Sequence, residues 1–178
     1  MRLNELLAAA KALCRTGWMI RGVPGGEAES VAEHSFEAAV LAYMLAQRLL
    51  REGAKVSPER AATMAIFHDM GETVMGDLVK WTGKRVDKEK VEREAYKQVE
   101  VGEELFQEYL QRDSIEAKVS KLADVLSTHL QAIRYSRLGY KMDDIVNSTD
   151  KELEGILSDR DLAVLRGVVL DLKGGEDS

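Results

Sequence analysis

Apolar residues recur along most of the chain at intervals of three and four, the period of helices with one buried face. Leu3, Leu6, Leu7, Ala10 and Leu13 form the first such stripe. Ser30-Val31-Ala32-Glu33 has the form of a capping box, and the apolar stripe that follows runs to about Leu50. Ser57-Pro58 offers a cap followed by proline at the first helical position, with Ala61, Met64, Ala65 and His68 on one face. The charged stretch from about Asp87 to Gln111 predicts one long surface helix. Asp113-Ser114 opens another, with Ile115, Val119, Leu122, Leu126 and Ile133 inward. Thr149 and Ser158 begin two more capped helices, and 173–178 fray from the end. No repeat and no alternating strand pattern interrupts this, so the expected fold is all-α: a single bundle of five to seven helices over 1–178, with its core at about 3–172.

Between the helices lie segments of a different kind. Residues 15–30, RTGWMIRGVPGGEAES, are rich in Gly and hold one of the two prolines, which reads as a loop. Arg15, Trp18 and Arg21 within it place two guanidinium groups around an indole, a set suited to an oxyanion attached to a flat ring. Gly71 and Gly76-Asp77 mark turns after the third stripe, and Lys80, Trp81, Lys84 and Arg85 form a local basic group best read as a solvated loop.

Composition narrows the functions open to the chain. With 178 residues, 45% of them hydrophobic, it can bury one core. The balance of 25 basic against 31 acidic residues leaves a net charge of −6, which argues against broad contact with a nucleic-acid polymer or an anionic membrane. One cysteine, Cys14, permits no internal disulfide. The segment MRLNELLAAAKAL is too short and too charged to span a bilayer, and no small-residue cleavage signal follows it. A cytoplasmic location is expected.

Only three histidines are present, so any histidine chemistry must use them. His34 lies on the inward stripe at the start of its helix, and His68 on the inward face at the end of the next. A short connection between those helices favours antiparallel packing, which brings the two imidazoles together. Asp69 adjoins His68, Glu72 follows three residues later and Asp77 eight residues later. An imidazole beside a carboxylate supplies a divalent metal with two ligands from one short segment, and a further carboxylate can handle a proton. On the helix after Asp113, the residues Ala117, Ser120, Asp124, Ser127, Thr128 and Gln131 form a small or neutral stripe in which Asp124 is the only charge, the pattern of a polar cleft wall. His129 sits about 140° around that helix from Asp124 and is expected not to be a ligand.

His34, His68-Asp69 and Asp124 give the spacing H…HD…D, and with RTGW at 15–18, RGV at 21–23, ESVAEHS at 29–35, HDMGETVMGD at 68–77 and KVSKLAD at 118–124 the chain resembles the HD-domain metal-dependent phosphohydrolases, specifically their 5′-deoxynucleotidase group. The resemblance implies that His34, His68, Asp69 and Asp124 hold one divalent metal. It implies Glu72 as the catalytic carboxylate beside the attacking water, with Asp69 counted among the catalytic residues as well as the ligands. Asp77 would contact the sugar, Trp18 would lie near the nucleoside, and Arg15 or Arg21 would meet the phosphate. Some members carry arginine directly before that tryptophan, where this chain has Gly17. The activity implied is hydrolysis of deoxyribonucleoside 5′-monophosphates by a homodimer. Alternatives are another nucleotide phosphohydrolase acting on a triphosphate, cyclic or signalling nucleotide, and a metal-stabilised binding protein without turnover. Two histidines and two aspartates suit Mn²⁺, Co²⁺, Fe²⁺ or Zn²⁺ better than Mg²⁺.

Overall fold

The computed structural model describes residues 2–99 and 101–174, with nothing said of the Lys80 side chain. Its helices are α1 (Leu3–Ala12), α2 (Thr16–Met19), α3 (Val31–Arg51), α4 (Pro58–Phe67), α5 (Glu72–Met75), α6 (Lys80–Gly83), α7 (Lys88–Tyr96), α8 (Glu103–Gln111), α9 (Ile115–Arg137), α10 (Asp143–Ile156) and, after a 3₁₀ turn at Ala163–Leu165, α11 (Arg166–Gly174). No strand is present among the described residues; one isolated bridge joins Cys14 to Ser30. The all-α class therefore stands. The helices outnumber the five to seven expected because α2, α5 and α6 are single turns set in segments that read as loops and because one expected helix is split into α7 and α8. None of the described helices is long and apolar enough to cross a membrane.

Three helices form the centre. The Ser30 hydroxyl accepts from the Glu33 amide while the Glu33 carboxylate accepts from the Ser30 amide, so the capping box starts α3 as its sequence indicates. The Ser57 hydroxyl accepts from Arg60 N at the start of α4, and Ser114 from Ala117 N at the start of α9. Mutual packing of α3, α4 and α9 buries Leu41, Leu45, Leu49, Ala61, Ala65, Leu122 and Leu126, and α10 closes the far side through Leu153. Burial on this scale, roughly 2 kcal/mol for each large aliphatic side chain, is what holds the ends of α3, α4 and α9 in register.

The expected helix from Asp87 to Gln111 is two helices with a sharp break. Gly102 has φ +86°, and a β-carbon there would come within 2.4 Å of the Phe67 ring. The backbone turns at this point because Phe67 occupies the space a side chain would need. The break turns α8 inward, burying Phe106 and Tyr109, so this stretch is not merely a surface helix. A second correction concerns the tail. Thr149 lies inside α10, which begins at Asp143, and the last helix begins at Arg166 rather than after Ser158. Thr149 directs its hydroxyl to Ile145 O and to His129 Nδ1, so its polar group is satisfied inside the bundle instead of at a cap. Of the fraying expected at 173–178, positions 175–178 lie outside the described residues.

Candidate metal centre

His34 enters from the first turn of α3, His68 and Asp69 follow the last turn of α4, and Asp124 comes from the middle of α9. These helix positions converge. Asp124 Oδ1 lies 3.2 Å from His34 Nε2 and 3.6 Å from His68 Nε2. Asp69 Oδ2 lies 3.1 Å from His68 Nε2 and 3.8 Å from His34 Nε2. One donor atom from each of His34, His68 and Asp124 falls within 4.8 Å of the others, a group able to hold a metal ion. His129 is not part of it: its ring turns to Thr149 and Asp150.

The surroundings fix which atoms face the centre. His68 Nδ1 is 2.7 Å from the Ala65 carbonyl, which can only accept, so the proton sits on Nδ1 and the neutral ring offers its Nε2 lone pair inward. Nε2 is buried and makes no well-directed hydrogen bond, despite the nearness of Asp69. A buried nitrogen left this way beside two carboxylates fits a cation between them. Asp124 Oδ2 accepts from Tyr109 OH at 2.7 Å and from Lys121 Nζ at 3.0 Å, which leaves Oδ1 for the centre. His34 Nδ1 meets Ser127 Oγ at 3.3 Å, Ser127 donates to Glu37 Oε2, and Arg134 clamps Glu37 with contacts of 2.7 and 2.9 Å. Hence part of the stripe read as a cleft wall is used elsewhere: Ser120 bonds to the Ala61 carbonyl and Ser127 to His34, both buried between helices, while Thr128 and Gln131 do line open cavities.

Charge follows from this geometry. Against the effect of burial, Asp69 and Asp124 raise the His68 imidazole to about 10. Burial works against ionisation of both aspartates too, but His68 holds Asp69 below the usual carboxylate range, and Lys121 with the two histidines holds Asp124 well below it. Glu72 behaves oppositely. Burial, followed by repulsion from Asp69 and Asp77, pushes it well above the ordinary value, and its Oε2 is buried without a hydrogen-bond partner. Two carboxylates three residues apart are thus shifted in opposite directions by their environments.

A cavity of about 340 Å³ is lined by Arg15, Trp18, Arg21, Asp77, Trp81 and Thr128 among others; the four converging residues are not in its wall, and Arg15 is its link to their charges. Arg15 donates to Thr128 Oγ1 at 3.4 Å and lies 3.9 Å from Glu29. Burial opposes its charge, but Asp69, Glu29, Glu72 and Asp124 together raise it. Arg21 instead sits at the rim, paired with the exposed Asp144 and donating to the Gly17 carbonyl at 2.8 Å. Trp18 is only 2% exposed; its Nε1 donates to Glu29 at 2.9 Å and its ring meets Tyr135 edge-on, so it forms a wall fixed in place. The Asp77 carboxylate accepts from the Thr16 amide and ties the two loops together. Trp81, 66% exposed with Arg85 stacked on it, stands at the mouth.

A sequence model for the HD domain matches residues 7–157. The chain belongs to the HD-domain family. Among its relatives, the human protein named 5′-deoxynucleotidase HDDC2 is 31% identical over 162 residues, covering 84% of this chain and 76% of that one. The Schizosaccharomyces pombe 5′-deoxynucleotidase hdd1 is 28% identical over 75% of this chain and 70% of its own. Among solved structures, a conserved hypothetical protein from Pyrococcus furiosus superposes with a TM-score of 0.85 at 33% identity, covering 97% of this chain and 99% of that one. The PH0347 protein of Pyrococcus horikoshii gives 0.84 at 32%, with coverages of 97% and 98%. In this HD domain Tyr109, Lys121, Ser127 and Glu37 support the site residues; of these only Ser127 was marked in the sequence, as part of a cleft wall and not as a partner of His34. Of the rest, the one available signal was for Tyr109, a tyrosine on a helix that begins after a glycine able to turn the chain.

Proposed function

We propose that this HD-domain chain, taken as a single domain over 1–178, is a metal-dependent phosphomonoesterase that hydrolyses deoxyribonucleoside 5′-monophosphates. The observation that carries the reading is the convergence of His34, His68, Asp69 and Asp124 beside a buried, unpartnered Glu72 oxygen and an arginine-lined cavity. The names of its relatives in humans and yeast support the same substrate class.

His34 Nε2, His68 Nε2, Asp69 Oδ2 and Asp124 Oδ1 would hold the ion, and the mixed nitrogen and oxygen set favours Mn²⁺, Co²⁺, Fe²⁺ or Zn²⁺ over Mg²⁺. When bound, such an ion makes water more acidic and offsets charge on the phosphoryl group. Glu72, ionised, takes a proton from the attacking water as the water oxygen bonds to phosphorus and the bond from phosphorus to the 5′ oxygen breaks, and the proton passes on to the departing 5′ oxygen; its upward shift suits it to return the proton. Arg15 places a permanent positive charge against the phosphate, a role favoured by its nearness to Asp69, Glu72 and Asp124, whereas Arg21 is paired with Asp144. Trp18 walls the nucleoside side of the cavity, and Asp77 presents its carboxylate toward the sugar. A homodimer in the cytoplasm accompanies this reading.

The test is phosphate release from deoxyribonucleoside monophosphates, ribonucleoside monophosphates, triphosphates and cyclic nucleotides, each with Mn²⁺, Co²⁺ and Mg²⁺. Deoxy monophosphates should turn over fastest, and Glu72→Gln should lose at least about a hundredfold in kcat while keeping its metal. Turnover confined to triphosphate or cyclic substrates would favour another nucleotide phosphohydrolase. No turnover in the wild type would leave a metal-stabilised binding protein.

A further inference from the structure

The contacts made by the lining of the cavity sort it into two groups. Arg15 donates to Thr128, and the Asp77 carboxylate accepts from the Thr16 amide, so the side chains assigned to the phosphate and the sugar are joined to one another. The second group is built around the start of α10, where Asp144 pairs with Arg21 and is followed by Ile145 and Ser148. Its polar side chains are engaged locally: Arg21 also donates to the Gly17 carbonyl at 2.8 Å, and Ser148 donates to the Ile145 carbonyl at 3.0 Å. What remains for a ligand there is apolar surface from Ile20, Ile145 and Trp81. At about 340 Å³ the cavity is within the range of small-molecule sites and holds more than a phosphate and a pentose.

Trp81 is the largest of these apolar side chains. It lies in α6, four residues past Asp77, and belongs to none of the buried clusters of the described residues. Two thirds of it is open to solvent, area that whatever occupies the cavity can cover. One face of the indole is already taken. The Arg85 guanidinium carbon lies 3.8 Å from the ring centroid, and Arg85 Nη1 donates to the Trp81 carbonyl at 2.9 Å, a clamp one helical turn long that holds cation and ring together. The opposite face is left for a planar ligand, and every nucleobase has a π-face that stacks on an indole.

We propose that Trp81 is the stacking platform for the nucleobase, so that the cavity favours a nucleotide over a sugar phosphate without a base. The proposal rests on the phosphomonoesterase reading and adds a binding residue to it. Two measurements keep the two apart. In the first, deoxyadenosine, which has no phosphate to lose, is titrated into the metal-free full chain while tryptophan emission is followed with excitation beyond the absorption of the base. Trp18 and Trp81 are the two tryptophans of the chain. Deoxyadenosine should quench the wild type, and Trp81→Ala should lose most of that quenching. In the second, kcat/KM for dAMP is divided by kcat/KM for 2-deoxyribose 5-phosphate. Trp81→Ala should lower this ratio at least about tenfold, through KM rather than kcat, and Trp81→Phe should restore most of it, because a stacked ring and not a hydrogen bond has been lost. Circular dichroism should stay helical in both variants, since the side chain is largely exposed. A ratio unaltered by Trp81→Ala, a phenylalanine variant as poor as the alanine one, or a wild type whose emission deoxyadenosine does not change overturns the platform and leaves phosphate release standing. A wild type that frees no phosphate from either substrate overturns the phosphomonoesterase reading instead, and the quenching then decides the platform by itself.

Discussion

Gly102→Ala tests how the break between α7 and α8 supports the metal centre. Two costs are separable. An alanine held near φ +86° is in the left-handed region, which costs about 1–2 kcal/mol, partly offset by about 0.4–1 kcal/mol from a less flexible unfolded chain. The new β-carbon would also lie 2.4 Å from Phe67 Cδ1 and 2.9 Å from Cγ, so the ring must move, at a typical overpacking cost of about 1–3 kcal/mol. The sum is a loss of about 1–5 kcal/mol, centred near 3. Gly53 is the control: its φ is +90° at the end of α3, with nothing within 4 Å of a β-carbon, so Gly53→Ala should lose only about 1 kcal/mol. Urea unfolding of both variants, without added metal, measures the difference. Because Phe67 directly precedes His68 and its carbonyl accepts from the Tyr96 hydroxyl, the displaced ring should also weaken metal binding in Gly102→Ala and not in Gly53→Ala. Equal losses in the two variants would refute the argument, since Phe67 would then be moving aside at no cost.

Tyr109→Phe removes the 2.7 Å hydrogen bond to Asp124 Oδ2 and should lower metal affinity about 10–100-fold by competition titration, with a stability loss near 1 kcal/mol. His34→Ala should lower metal content and melting temperature together, whereas His129→Ala should lower the melting temperature alone, as elemental analysis beside thermal melts will show. The metal-free protein should lose stability as pH rises. His68 is raised from 6.5 to about 10 in the folded chain, so its contribution is complete below about 6.5 and is lost as pH climbs through 10. Metal binding must expel that proton, so affinity should rise with pH across the same window, up to about tenfold per unit, and proton release on titration should be visible in weakly buffered solution.

How much was legible in the sequence depended on what each residue needed from its neighbours. His34 and His68 could be placed on inward faces from periodicity alone, and a short connection between their helices was enough to bring them together. Asp124 was legible as the one charge on a neutral stripe. The roles of that stripe's other members were not, because whether a serine faces a cavity, a backbone carbonyl or an imidazole is decided by which helix packs over it. Ser120 and Ser127 are examples. Tyr109 was hidden by a different cause: the charged run around it conceals the turn at Gly102, and only the Phe67 ring, far off in sequence, makes that turn necessary. Thr149 misled for a third reason, since a Thr-x-x-Glu pattern has the same form whether it caps a helix or lies within one. The choice between Arg15 and Arg21 was open in the sequence, and what differs between them is their partners: Arg15 feels Asp69, Glu72 and Asp124, whereas Arg21 pairs with Asp144.

Helix α9 is occupied on nearly every side. It supplies Asp124 to the centre, Leu122 and Leu126 to the core, Ser127 to His34 and Thr128 to Arg15. Drift in substrate choice is therefore closed to that helix, where any exchange disturbs folding and chemistry at once. It must be written instead in the two segments that Thr16 and Asp77 join, around Trp18 and around Trp81, where side chains can be traded while the ligands stay put.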